Sequence, residues 1–242
     1  MMSRSYSFFP LGDSAVLIQF ESWVSENIHR EVTAAARCIE ENPFPGFVEC
    51  IPSFTSVAIY YEFHRINKPD EFDTVYAYIC SMLEQRMVAD EAEKASAVPD
   101  VVEIPVCYGG KHGPDLELVA DKNRLTPEEV IRIHSGQDYL IYAIGFAPGF
   151  PYVGGIPDTI ATPRKKTPRL RIPPGSVGIA GNQTGIYPIE TPGGWQLIGR
   201  TPLALFRPGA QPPSLLKAGQ YIRFRPIETE EYERIREVSL WV

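Results

Sequence analysis

Between Thr159 and Ile189 the chain has no aspartate and no glutamate, although acids outnumber bases over its full length. With 30 Asp and Glu against 23 Lys and Arg the net charge is −7, which argues against a surface built for nucleic acid. Cysteine is scarce. Cys38, Cys50, Cys80 and Cys107 are scattered, with no C-x-x-C pair and no histidine at ligand spacing, so neither a zinc site nor a secreted disulfide framework is supported. The start, MMSRSYSFFPLGDS, has one Arg and an apolar run too short for a signal peptide, so the expectation is a cytoplasmic protein with reduced thiols. The 19 residues from Tyr139 to Pro157 are free of charge, but Gly145, Pro148, Gly149, Pro151, Gly154 and Gly155 would leave backbone groups unsatisfied in lipid. That run reads as buried strand and turn, not as a membrane span. Also missing are a G-x-x-x-x-G-K-[ST] phosphate loop, a G-x-G-x-x-G turn, a G-x-S-x-G nucleophile elbow and an H-E-x-x-H helix. Any nucleotide would be handled without a standard cradle, and a self-contained hydrolase or metalloenzyme is disfavoured.

What is present is unevenly spread: residues 1–90 hold seven Gly and Pro, whereas the 65 residues from 136 to 200 hold 21. Two architectures are implied, with a domain over 1–92 and another over 100–242. The stretch Asp90-Glu-Ala-Glu-Lys-Ala-Ser-Ala-Val-Pro-Asp100 has linker composition. In the first domain Ala15–Phe20, Phe47–Ile51 and Ser56–Tyr61 read as strands. One helix starts after Ser25 and ends before Pro43, and another runs from about Phe72 to Arg86. That order matches a split βαβ, ferredoxin-like α+β layer whose closing strand is not evident. In the second, Pro105 assigns Val101–Val106 to an edge or terminus. Thr126-Pro-Glu-Glu129 is a capping box that opens a helix ending at His134, with Gly136 as its left-handed stop. Short apolar runs follow at Tyr139–Phe146, Ser176–Ala180, Ile186–Glu190, Trp195–Gly199 and Tyr221–Pro226. Thr191-Pro-Gly-Gly194 has type II turn chemistry, and the whole pattern indicates an all-β sandwich or closed barrel.

The acid-free segment carries Arg164, Lys165, Lys166, Arg169 and Arg171, five cations that point to a carboxylate or phosphate ligand. Arg169 and Arg171, two apart, would share a face of an extended chain. Phe146, Phe150 and Tyr152 place three rings among turn formers, which suits either an apolar ligand wall or a rigid packing corner. Gln183 lies between glycines and suits a polar ligand contact or a tight hairpin. His134, at a helix C-terminus, is read as a general acid or anion ligand, or else as a surface residue capping helix carbonyls. His112 is a loop histidine of the same ambiguity, and His29 and His64 read as surface residues.

Four motifs in order, Gly145-Phe-Ala-Pro-Gly-Phe-Pro-Tyr152, Pro168-Arg-Leu-Arg-Ile-Pro-Pro-Gly-Ser-Val-Gly-Ile-Ala-Gly181, Gln183-Thr-Gly-Ile-Tyr-Pro188 and Pro192-Gly-Gly-Trp-Gln-Leu-Ile-Gly-Arg-Thr-Pro202, resemble the family of 5-oxoprolinase B subunits. Pro10–Ala15 and Gly46–Ser53 extend the likeness into the first domain. This family takes in PxpB, the histidine-kinase inhibitor KipI and proteins labelled allophanate hydrolase subunit 1. The resemblance implies a small α+β domain followed by a cyclophilin-like β-barrel. It implies a component that is not an enzyme alone but works with a homologous C subunit, together with an A subunit, in ATP-dependent opening of 5-oxoproline to glutamate, the nucleotide being Mg-bound with a partner. Two other roles are implied: KipI-type inhibition of a sporulation sensor histidine kinase, and half of a biotin-dependent urea or allophanate carboxyltransferase. In that reading His134, at the helix end that leads into the glycine-rich region, is the catalytic candidate. Arg169, Arg171, Gln183, Ser176, Phe146, Phe150, Tyr152, Tyr187 and Trp195 become the substrate-binding candidates, with no metal, nucleic acid or membrane involved.

Overall fold

The computed structural model describes residues 6–90 and 100–239, and the chain divides into two units, Met1–Val98 and Pro99–Val242. Most of the linker expected between Asp90 and Asp100 lies outside the described residues. In the first unit the elements are β1 (Ser7–Pro10), β2 (Ala15–Gln19), α1 (Glu26–Glu41), β3 (Phe47–Pro52), β4 (Ser56–Tyr61) and α2 (Val75–Asp90). Val16 and Ile18 on β2 and Val57 and Ile59 on β4 recur at every second position and so share one sheet face. Against them pack Val32 and Ile39 of α1 and Ile79 and Leu83 of α2. The Ser25 hydroxyl caps α1 by accepting from the Ile28 amide at 3.2 Å.

The sheet order is β1-β2-β4-β3, with every pair antiparallel. This differs from the split βαβ expectation. Among the described residues no strand follows α2 to close the sheet, and the place beside β2 is taken by β1. A connection of only four residues, Leu11–Ser14, joins the two, so the hairpin forms at low loop-closure cost; Gly12 supplies the left-handed φ of 67° at its turn.

The second unit contains β5 (Val101–Tyr108), α3 (Leu116–Asn123), α4 (Pro127–His134), β6 (Asp138–Ile144), β7 (Pro151–Gly154), β8 (Arg169–Ile172), β9 (Ser176–Ala180), β10 (Gln183–Ile186), β11 (Thr191–Gly193), β12 (Gln196–Arg200), β13 (Tyr221–Pro226) and α5 (Thr229–Ser239). Seven of these strands close a barrel in the order β10-β7-β6-β13-β5-β12-β9, with only β13 and β5 parallel. Ile104, Val106, Ile141, Val153, Val177, Ile179, Ile198, Ile222 and Phe224 fill its core. β8 and β11 pair with each other as a separate two-stranded ribbon.

Several sequence expectations shift here. β5 is interior, not an edge; Pro105 is tolerated because β12 pairs only with Cys107 and Tyr108, beyond it. The capping box opens α4 as read, but Ser135 in the right-handed region is its C-cap and Gly136 has no positive φ. The glycine is needed for room, since a Cβ there would lie 2.8 Å from the Arg132 carbonyl oxygen. The strand expected over Ile186–Glu190 is displaced to β10, because Gln183–Ile186 pairs with Val177–Ala180 through the turn at Gly181-Asn182. Thr191–Gly193 is strand, not turn. Helices α3 and α5 are not evident from periodicity. Among the described residues no helix is long and apolar enough to cross a membrane.

Candidate functional site

The turn between β6 and β7, the residues before β8, and β11 with the start of β12 converge on a cavity of about 250 Å³. Its wall is aromatic: Phe146, Phe150, Tyr152, Tyr187 and Trp195, with Arg164, Pro168 and the Pro192-Gly-Gly194 backbone completing the lining. Phe150 is the hub. Its ring meets Phe146 at 5.5 Å, Tyr152 at 5.0 Å, Tyr187 at 5.4 Å and Trp195 at 5.6 Å, all edge to face, the arrangement that aromatic quadrupoles favour. Close approach of strands makes the cluster possible. A Cβ at Gly193 would lie 2.5 Å from the Tyr187 hydroxyl, and one at Gly185 would meet the Phe150 and Trp195 rings at 3.1 and 3.0 Å. The glycine in Pro192-Gly193 therefore serves contact in a strand, which explains why its turn chemistry misleads.

Phe146 is held apart from its neighbours by its backbone. It has a φ of 66°, uncommon for a bulky side chain, and its ring is 65% exposed at the cavity mouth while Phe150, Tyr187 and Trp195 are buried. Such a conformation costs about 1–3 kcal/mol and tends to occur where an exposed side chain is used. The Arg164 guanidinium lies 5.8 Å from the Trp195 ring centroid, a cation–π placement on the cavity lining. Burial raises the Tyr187 phenol above its ordinary value; a hydrogen bond with the Trp195 backbone and the charges of Arg164 and Arg169 offset part of that rise. The phenol remains protonated at neutral pH.

Behind the pocket lies an ionic knot that has no counterpart in the sequence reading. Buried Asp115, just before α3, accepts from Arg169 Nη2 at 2.7 Å and Lys165 Nζ at 3.2 Å through one oxygen. Its other oxygen accepts from the Leu197 amide at 2.7 Å. Burial works against the carboxylate, but the Arg169 hydrogen bond and charge, the Leu197 amide and Lys165 together hold it below the usual carboxylate range. The acid that the basic segment lacks is thus supplied from 54 residues upstream of Arg169, and only part of the segment's charge is unpaired. The Lys165 amide also donates to the Gly194 carbonyl at 2.7 Å, and Gln196 Nε2 to the Pro163 carbonyl at 2.9 Å, so the basic loop is laced to the base of the pocket.

Of the residues singled out from the sequence, Phe146, Phe150, Tyr152, Tyr187 and Trp195 come together and Arg169 lies behind them. The others do not join them. Arg171 does not share a face with Arg169: a register shift in the β8–β11 pairing turns Arg171 outward, 83% exposed and 3.7 Å from Glu190. The Ser176 hydroxyl is spent on the Pro173 carbonyl at 2.7 Å, and Gln183 pairs in the ladder opposite Ala180 and Gly154. Neither lines the cavity.

His134 is the largest departure. It is wholly buried in the barrel core, stacked on Phe224 at 4.4 Å, with Tyr108 Oη 2.8 Å from Nδ1 and Thr184 Oγ1 2.9 Å from Nε2. The Thr184 hydroxyl donates to the Gly178 carbonyl at 3.1 Å, so it accepts from Nε2–H, and Nδ1 accepts from Tyr108. One neutral tautomer satisfies the chain, and burial lowers the imidazole pKa to about 3. Both nitrogens are hydrogen-bonded within the barrel core, His134 is not among the residues that line the pocket, and its imidazole is neutral at neutral pH. His29 and His112, read as exposed or ambiguous, are also buried. Among the described residues no group of acids, histidines and cysteines could hold a metal ion.

The family model described as carboxyltransferase domain, subdomain C and D, matches residues 6–216. A 5-oxoprolinase B subunit from Bacillus subtilis is 51% identical over 98% of this chain and all of its own length. The Haemophilus influenzae protein of the same name is 40% identical over 89% of this chain and 95% of its own. The crystal structure of TTHA0988 superposes with a TM-score of 0.74 at 33% identity, covering 88% of this chain and 40% of that longer one. Over the span that holds both the aromatic pocket and the ionic knot behind it, the chain belongs to the family of 5-oxoprolinase B subunits, within the carboxyltransferase subdomain C and D group.

Proposed function

We propose that this chain is the B subunit of an ATP-dependent 5-oxoprolinase, working in a cytoplasmic complex with the homologous C subunit, together with the A subunit, to open 5-oxoproline to glutamate. The observation that carries this reading is 51% identity, end to end, to a protein named as the B subunit of 5-oxoprolinase. The pocket supports the assignment chemically. A volume of about 250 Å³ suits a small ring with a carboxylate and falls below the range typical for larger ligands. Mg-bound ATP is therefore assigned to the partner subunits, in keeping with the missing phosphate loop. The aromatic wall takes the flat lactam ring edge to face. Arg164, exposed at the rim and preset on Trp195, takes the carboxylate as a planar fork. Arg169 stands behind as a fixed charge, positioned by Asp115. The barrel is of the cyclophilin-like kind in this reading, and the first unit is a ferredoxin-like layer permuted at its edge strand.

The chain alone is expected to show no 5-oxoproline-dependent ADP release, and to support it when the A and C subunits are added. Turnover by the isolated chain would overturn the division of labour. Arrest of a sensor histidine kinase's autophosphorylation, with the A and C subunits left inactive, would move the chain to the inhibitor class.

A further inference from the structure

The β8–β11 ribbon stands outside the barrel ladder and presents the most exposed large apolar side chain among the described residues, Leu170, at 88%. Phe146 at the pocket mouth and Ile189 at the approach to β11 are exposed as well. Around them the charge is mainly positive, Glu190 beside Ile189 being the exception. Lys165 and Arg169 are held by Asp115, but Arg164 and Lys166 are exposed, have no acidic partner among the described contacts, and precede the ribbon on the same loop. Arg171 has only a distant, solvent-exposed Glu190. Leu170, exposed to this degree and flanked by Arg164 and Lys166 without an acidic partner among the described contacts, on a protein of net charge −7, marks a surface suited to an interface. Backbone pairing with an added strand is discouraged, because Pro192 lies in β11, Pro168 just precedes β8, and arginines lie along the exposed edge. Recognition is left to the side chains. Pro168, Pro173 and Pro174 stiffen both ends of β8, so little ordering entropy is lost when a partner binds.

We propose that the β8–β11 ribbon docks a partner protein that offers an apolar cleft for Leu170 rimmed by carboxylates for Lys166 and Arg171, and that this partner covers the mouth of the aromatic pocket beside Phe146. The proposal rests on the functional reading above and identifies the surface through which that complex forms. Leu170 is the anchor, and the cations set orientation and association rate.

The test uses the full chain and its purified C subunit, with binding followed by titration calorimetry and sedimentation at low and high salt. Leu170→Asp, and separately Lys166→Glu with Arg171→Glu, are compared with Leu118→Asp, a control at another exposed apolar position. Both ribbon variants are expected to weaken association at least tenfold, and the charge reversals to remove most of its salt dependence, with melting temperatures unchanged. Leu118→Asp is expected to bind like the wild type. Ribbon variants that bind as tightly as the wild type, in a complex that turns over 5-oxoproline, would defeat the docking surface and leave the functional reading standing. A wild-type chain that neither binds nor supports turnover would defeat both. Loss of a homodimer in Leu170→Asp, with affinity for the C subunit intact, would reassign the ribbon to a second copy of the chain and overturn the proposal.

Discussion

At the scale of single residues, His134 shows how burial reverses the meaning of a position. A histidine at a helix C-terminus ordinarily gains charge from the dipole, yet α4 drives this one into the barrel core, where Tyr108, Thr184 and the Gly178 carbonyl fix one neutral tautomer. The folded imidazole takes a proton only near pH 3, the unfolded one near 6.5. Between those values the unfolded chain binds a proton that the folded chain refuses. Stability is therefore full above about pH 6.5 and falls as pH drops toward 3, by at most about 1.4 kcal/mol per pH unit. His112, whose pKa burial and Lys111 also lower, acts in the same direction. In urea titrations between pH 7 and 4, His134→Gln is expected to lose stability more gently with acid than the wild type. Parallel slopes would mean that His134 already carries a proton in the fold.

At the scale of elements, Asp115 connects three that are far apart in the chain: the loop before α3, β8 through Arg169 and β12 through Leu197. Removing Arg169 leaves a buried carboxylate with only the partly exposed Lys165 and one amide, so Arg169→Ala is expected to cost about 2–3 kcal/mol, less than a fully buried pair because Arg169 is itself partly exposed. The same variant would loosen the base of the pocket. Asp115→Asn with Arg169→Ala is expected to recover part of the loss, and strictly additive losses in a double-mutant cycle would show that the two do not interact. What was legible in the sequence follows from the range of the forces. The α4 cap is spelled by four adjacent residues, and the aromatic corner by seven. The Asp115 knot has no local signal, because its partners lie 50, 54 and 82 residues away. The β8–β11 ribbon is obscured in another way: Pro192-Gly193 has turn chemistry, but the Tyr187 hydroxyl beneath Gly193 requires glycine in a strand.

At the scale of the molecule, the two units each close a core of their own. In the first, Val16, Ile18, Val32, Ile39, Val57, Ile59, Ile79 and Leu83 are buried together; in the second, the barrel encloses Ile104, Ile141, Ile179, Ile198, Ile222 and Phe224 without an open edge. Burying a side chain of this size is worth about 1.5–3 kcal/mol, and folding needs such a cluster to offset chain entropy. Among the described residues, each cluster is made up of residues of its own unit. Fragments 1–92 and 100–242, made separately, are therefore expected to fold, each with a cooperative thermal transition and dispersed amide resonances. The second fragment should keep the pocket intact, read out as Trp195 fluorescence quenched by added 5-oxoproline to the same extent as in the full chain. The first fragment, with a single four-stranded sheet, should be the less stable of the two, since a smaller domain buries a smaller fraction of its surface. If the second fragment is soluble only when the first is supplied in trans, the units share their stability, and 1–92 is not a domain boundary but a cut through one cooperative fold.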